Sequence, residues 1–149
     1  METVPLKYAF IMNPRSGNGR ALKQWARLCP SVEAVVPEYT MFHTEYSGHA
    51  VELAREALGQ GYTRIVSCGG DGTHCEVANG FFENDAPINP EASMVILPLG
   101  TGCDLGRSLR LPNPLKSVAY LADPNTVAMD VGKLTSTDEK GASVQSYFL

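Results

Sequence analysis

Residues 68–77, C-G-G-D-G-T-H-C-E-V, set one carboxylate, Asp71, among Gly69, Gly70 and Gly72 directly after the apolar run Arg64 to Ser67. Glycines where a strand turns into a helix let backbone N–H groups approach a phosphate, and the helix N-terminus adds the positive end of its dipole. A carboxylate in such a cradle repels a bare phosphate. Either the stretch is a plain turn with a capped helix, or something cationic or reactive lies between Asp71 and its ligand. Thr73-x-x-Glu76 has the spacing of a capping box, which would stabilise the helix by ~1 kcal/mol with no catalytic duty. Glu76 is also expected on the helix face of Thr73, where it would support a phosphate site.

The elements that must position these residues can be read along the chain. Leu6 to Met12 is a continuous apolar run broken by one lysine, as expected of a strand covered on both faces. Leu22, Trp25, Ala26 and Cys29 mark one face of a helix that begins near Gly19 and is expected to stop before Pro30. Its charged stripe, Arg20, Lys23 and Arg27, suits either a solvated face or contact with anionic lipid. Glu38 to His43 reads as a second strand, and Ala50, Val51, Leu53, Ala54, Ala57 and Leu58 as a helical stripe ended by Gly59 and Gly61. Thr63 to Ser67 and Ser93 to Leu97 are further buried strands, with a helix over Gly72 to Glu83 between them. Short helices follow near Gly102 to Leu109 and Leu115 to Leu121.

This alternation predicts right-handed crossovers and an α/β fold: a Rossmann-like three-layer domain with a largely parallel sheet. In a parallel sheet all strand C-termini share one edge, and ligands bind outside it. The loops expected there are N-P-R-S-G-N-G (Asn13 to Gly19), Thr44, G-G-D-G-T (Gly69 to Thr73) and P-L-G-T-G (Pro98 to Gly102). Their convergence points to a phosphate-bearing ligand. The Walker pattern G-x-x-x-x-G-K-[ST] is absent, and Gly100, Gly102 and Gly106 are spaced one residue too widely for the dinucleotide fingerprint.

Composition narrows the class. The 149 residues are 44% hydrophobic and 19% charged, about one domain's worth of core. A net charge of -4 offers no basic field for a nucleic-acid backbone. No apolar stretch approaches the roughly 18 residues of a membrane span, and M-E-T-V-P-L-K-Y-A-F lacks the order of a signal peptide, so a cytoplasmic protein is expected. Cys29, Cys68, Cys75 and Cys103 form no C-x-x-C pair and, with His43, His49 and His74, match no zinc spacing; reduced thiols are expected.

Three stretches together resemble the diacylglycerol kinase catalytic-domain family, which includes bacterial lipid kinases, sphingosine kinases and ceramide kinases. They are N-P-R-S-G at 13–17, G-G-D-G-T-H-C-E-V-A-N-G at 69–80 and L-P-L-G-T-G-C-D-L-G-R-S-L at 97–109. The resemblance implies a lipid kinase that uses ATP and Mg²⁺, with a lipid hydroxyl as acceptor and peripheral contact with the inner membrane face. It implies that Asn13, Ser16 and Gly17 line the nucleotide and that Thr44 offers its hydroxyl to the phosphates. Gly69, Gly70, Gly72 and Thr73 would form the phosphate turn, with Gly100, Thr101 and Gly102 in the same site. Asp71 would meet Mg²⁺ directly or through water, or handle the proton of the attacking hydroxyl. Asparagine in its place would keep the shape and an acceptor, so Asp71→Asn is expected to remove charge while sparing the fold.

NAD kinases share G-G-D-G-T, but their later G-x-N-x-G-x-L-G-F is not found here; a non-catalytic nucleotide-binding domain is the other alternative. Where many relatives have G-T-G-N-D, this chain has G-T-G-C-D, replacing an amide at 103 with a thiol, a much weaker donor. Full-length family members are also considerably longer. Residues 1–124 are therefore expected to form the ATP-binding domain and 125–149 the first strands of a truncated, mainly β second domain. Strands are expected over Asn125 to Leu134 and Val144 to Leu149, with exposed edges that favour self-association and too little of the acceptor site for activity alone.

Overall fold

A computed structural model describes residues 5–149. Residues 1–4, and with them part of the N-terminal stretch weighed above as a leader, lie outside the described residues. Four parallel strands form the central sheet: β1 (Tyr8–Met12), β2 (Tyr39–His43), β3 (Arg64–Gly69) and β6 (Ser93–Pro98), in the order β2-β1-β3-β6. Between them run α1 (Arg20–Val35), α2 (His49–Gly59) and α3 (Asp71–Gly80). One sheet face packs Phe10, Met12, Val66 and Leu97 against Ala21, Leu28 and Val32 of α1 and against Val118 and Leu121. The other packs Ala9, Ile11 and Ile65 against Ala50, Leu53, Ala54, Ala57 and Leu58 of α2 and Val77 of α3. The three-layer α/β expectation is met.

Register fixes where the loops begin. Met12 pairs with both His43 and Cys68, and Cys68 with Leu97, so four strands end on one line. The backbone N–H of Asn13 donates to Cys68 O (3.0 Å) and that of Thr44 to Met12 O (2.9 Å), carrying the ladder one residue into the loops.

Several boundaries differ from expectation. Helix α1 runs through Pro30 to Val35. An interior proline costs ~3 kcal/mol, but continuing the helix seats Val32 and Val36 in the core, and burial of such a side chain contributes ~1.5–3 kcal/mol. Its buried face follows Ala21, Leu28 and Val32 with Trp25 at its margin, so Leu22 is 44% exposed rather than inward. Helix α3 ends at Gly80, short of Glu83, because Asn84 and Asp85 adopt left-handed backbone (φ 50° and 63°) and turn Phe82–Glu83 (β4) back on Ala86–Pro87 (β5). Two successive left-handed residues suit a tight hairpin. After β6 come α4 (Asp104–Ser108), α5 (Pro114–Ser117) and a 3₁₀ turn (Val118–Ala122).

The C-terminal residues form one antiparallel hairpin, β7 (Gly132–Thr137) and β8 (Ser143–Phe148). The strand expected over Asn125 to Leu134 starts only at Gly132. Gly132 faces Phe148 at the end of β8, and residues 125–131 have no strand to pair with among the described residues. Asp138 closes the turn, its Oδ1 accepting from Lys140 and Ala142 N–H groups (2.9 and 2.8 Å).

Candidate functional site

Strand order changes direction between β1 and β3, and the crevice outside such a switch point is where α/β sheets take ligands. The first and third loops meet there. Asn13 Nδ2 donates to Thr73 Oγ1 (3.1 Å), Ser16 Oγ lies 3.5 Å from the same hydroxyl, and Gly70 N–H donates to Ser16 Oγ (3.4 Å). A side chain on Gly69 would collide with Thr73 Oγ1 at 2.6 Å and Ser16 Oγ at 2.9 Å. The fourth loop closes the group from the other side. Gly17, at φ +59°, would place a Cβ 2.7 Å from Gly100 Cα, so the two loops touch glycine to glycine, and Gln24 accepts Gly100 N–H at 2.8 Å. Gly70 and Gly72 differ: a Cβ on either would meet nothing within 4 Å. Packing does not require glycine at those two positions, and the space above them is open.

Asp71 is half-buried at the start of α3, and its carboxylate has a partner invisible to local sequence. Oδ2 accepts the Asp104 N–H (2.8 Å) and Oδ1 the Leu105 N–H (3.1 Å), so Asp71 caps α4 and ties the fourth loop to α3. The expectation that Asp71→Asn spares the fold needs correction accordingly. An asparagine offers one oxygen where two N–H groups converge, and its own N–H₂ would face the other.

Glu76 does not form a capping box. Thr73 is buried inside α3, whose N-cap is Gly70 without a side-chain cap, and Glu76 Oε1 and Oε2 instead accept the Gly48 and Ala50 N–H groups (3.0 and 3.3 Å). Its carboxylate satisfies the N-terminus of α2, which otherwise has no side-chain cap. Glu76 is thereby turned toward α2 rather than toward the Asn13–Ser16–Thr73 cluster. Thr44 is buried at the end of β2, on the far side of β1 from β3. Thr101 and Gly102 lie exposed on the rim, where Arg107 Nη2 donates to Gly102 O (2.6 Å) and pairs with Asp104. The Cys103 thiol is pushed up in pKa by burial and, less strongly, by Asp71. Among the described residues, no group of three or more His, Cys, Asp or Glu side chains is placed to hold a metal by itself.

Sequence reasoning missed the roles of His74 and Gln24. His74 is fully buried one position after Thr73, with Nδ1 2.7 Å from Ser67 Oγ and Nε2 unpartnered. Burial lowers its pKa to about 4, against a weaker upward pull from Asp71, so it is neutral under the site at physiological pH. A serine inside the apolar run of β3 is the available signal for a buried polar pair.

Comparison with known proteins follows the same residues. The chain matches the diacylglycerol kinase catalytic domain over residues 7–134. It belongs to that family. Diacylglycerol kinases of Staphylococcus carnosus and Staphylococcus haemolyticus are 33% and 35% identical over 127 residues, 85% of this chain and 40% and 37% of theirs. A solved diacylglycerol kinase structure from Bacillus anthracis str. Sterne superposes with a TM-score of 0.66 at 25% identity, covering 87% of this chain and 44% of that one. The chain thus spans less than half the length of these diacylglycerol kinases. Among its described residues no helix is long and apolar enough to cross a membrane.

Proposed function

We propose that this chain is the ATP-binding part of a lipid kinase that moves the γ-phosphate of ATP to a hydroxyl of diacylglycerol or a related lipid. In this reading residues 1–124 are the nucleotide-binding domain, and 125–149 begin a second, mainly β domain that supplies most of the acceptor site. The observation that carries it is the open space above Gly70 and Gly72, at the switch point and beside Asp71. Phosphoryl transfer depends mainly on positioning and charge neutralisation, and a helix N-terminus with open space above its glycines suits both. Asn13, Ser16 and Thr73 hold the rim of the cradle, Gly17 and Gly100 bring the flanking loops together, and Thr44, Thr101 and Gly102 border it.

The residues fit Mg²⁺. Asp71 uses one acceptor position on each oxygen for α4 and keeps the others, and Mg²⁺ commonly takes one or two carboxylates, waters and substrate phosphates. Bound there, directly or through water, it would neutralise phosphate charge. Glu76 acts from further away, by holding α2. Peripheral membrane contact and a cytoplasmic setting accord with a lipid acceptor, and Arg20, Lys23 and Arg27 on the exposed side of α1 offer charge for anionic headgroups. The exposed Leu134, Val144 and Phe148 of the hairpin offer a surface for self-association, which light scattering at several concentrations reads.

Amide chemical-shift mapping with Mg²⁺ and ATP tests the reading. Gly17, Thr44, Gly70 and Thr101 should shift together; changes confined to the opposite sheet edge would overturn both site and function. NAD in place of ATP distinguishes the NAD kinase alternative.

A further inference from the structure

The stretch Glu76–Gly80, E-V-A-N-G, follows the phosphate turn in the same helix, yet its side-chain hydrogen bonds go to none of the groups assigned to nucleotide. Its residues join α3 to other parts of the molecule. Glu76 caps α2, Val77 is buried against the sheet, and Gly80 leaves no room for a side chain, since a Cβ would lie 2.4 Å from Ala54 Cβ and 2.7 Å from Val51 O. Asn79 looks in the remaining direction. Its Nδ2 donates to Tyr147 O (2.6 Å), its Oδ1 accepts the Tyr147 N–H (2.7 Å), and Nδ2 also donates to Cys75 O (2.8 Å). The side-chain amide therefore pairs with the backbone of β8 as a neighbouring strand would, while the Cys75 carbonyl holds it in orientation.

Around this pair are contacts of the opposite kind, stacked rings and exposed charge. The Tyr147 ring stacks on Phe82 (centroids 4.3 Å apart, 24° between planes), and its hydroxyl donates to Asp85 Oδ1 (2.7 Å). Lys133 of β7 pairs with the same carboxylate at 2.7 Å. Stacking and an exposed ion pair tolerate sliding, and each is worth little alone. A two-point pairing to one residue's backbone does not tolerate it: a shift of one residue presents the other face of β8.

We infer that Asn79 is a positioning residue, the register key that fixes the β7–β8 hairpin on the helix whose first residue is Asp71. The continuous helix from Asp71 to Asn79 then connects the hairpin rigidly to the phosphate edge, so whatever the hairpin carries is set at one place relative to the cradle. The clasp stands on geometry alone; its consequence, that Asn79 sets where an acceptor hydroxyl meets the γ-phosphate, rests on the kinase reading.

Residual dipolar couplings and amide exchange on the 149-residue chain, without nucleotide, test it. In the parent, couplings from β1, β3 and β6 and from β7 and β8 should fit one alignment frame, with the Tyr147 amide protected. Asn79→Ala should speed Tyr147 exchange by at least about tenfold, leave Phe10 and Val66 protected, and detach the hairpin couplings from the common frame. A purely local contribution to α3 would not separate the frames. Asn79→Asp keeps the acceptor for Tyr147 N–H and loses both donated bonds, so it should fall between, and it serves if the alanine variant does not fold. Parent couplings that need two frames, or variants of Asn79 that still fit one, would overturn the inference. Nucleotide shifts, recorded separately, should survive in Asn79→Asp; their absence from the parent would sink the kinase reading and leave the clasp untouched.

Discussion

Strands β1 and β8 are close in length, yet every residue of β1 is buried whereas β8 is exposed along its first half and fully buried nowhere. β1 lies between two helical layers and is held by apolar area on both faces, the way a strand in a parallel sheet is normally held. β8 is held at points: an amide, a ring and a carboxylate. Apolar burial spreads the cost of any one change over many neighbours, while directional contacts concentrate it. The sheet can therefore carry a site in the loops at its edge without depending on any one of them, and the hairpin can be moved by changing one residue.

Four perturbations probe that contrast, from the largest effect to the smallest. Acid should act on the layered part through His74. Its folded pKa of about 4 lies below the ordinary value near 6.5, so the unfolded chain binds the proton more readily; stability is full above pH 6.5 and lost as pH falls toward 4, by about 3 kcal/mol. Urea unfolding at pH 7 and pH 4.5 reads this, and His74→Gln should flatten the difference. Gly80→Ala should cost ~2–3 kcal/mol by forcing α2 away from α3, seen as a lower denaturation midpoint at unchanged slope. For Asp71→Asn the expected loss is ~1–2 kcal/mol, because one N–H of α4 is left facing an amide, together with weaker Mg²⁺–ATP binding by titration calorimetry. On the hairpin, Lys133→Ala should change global stability by no more than ~0.5 kcal/mol, as for other exposed pairs, although Tyr147 amide exchange should still quicken. If Lys133→Ala instead cost as much as Gly80→Ala, the hairpin would belong to the core and the distinction would fail.

How far the sequence could be read follows the same division. Strands covered by helices write themselves as largely apolar runs, so the buried β1 and β3 and the half-buried edge strand β6 were legible to within two residues, and the loops after them with them. Partners far along the chain were not. Asp71 and Glu76 suggested a local turn and a local capping box, while their acceptor oxygens serve helices 33 residues ahead and 28 behind. Local rules also failed at Pro30, where burial of Val32 and Val36 outweighs a proline that normally stops a helix. Nothing in the spacing of Asn79 separates a surface amide from a clasp, since Tyr147 lies 68 residues away.

The contact of Gly17 with Gly100 has a consequence for the variation this site can undergo. Most tight contacts can drift, because a gain in volume on one side is absorbed by a loss on the other. Here neither partner has anything to lose: Gly17 meets the backbone of Gly100, and no smaller residue exists. The two positions form a dead end in sequence space, where the first mutation on either side admits no compensating second. Under the proposed nucleotide reading, change in ligand preference would come through the residues around the pair, such as Thr101 and Cys103, with the pair itself as a fixed point.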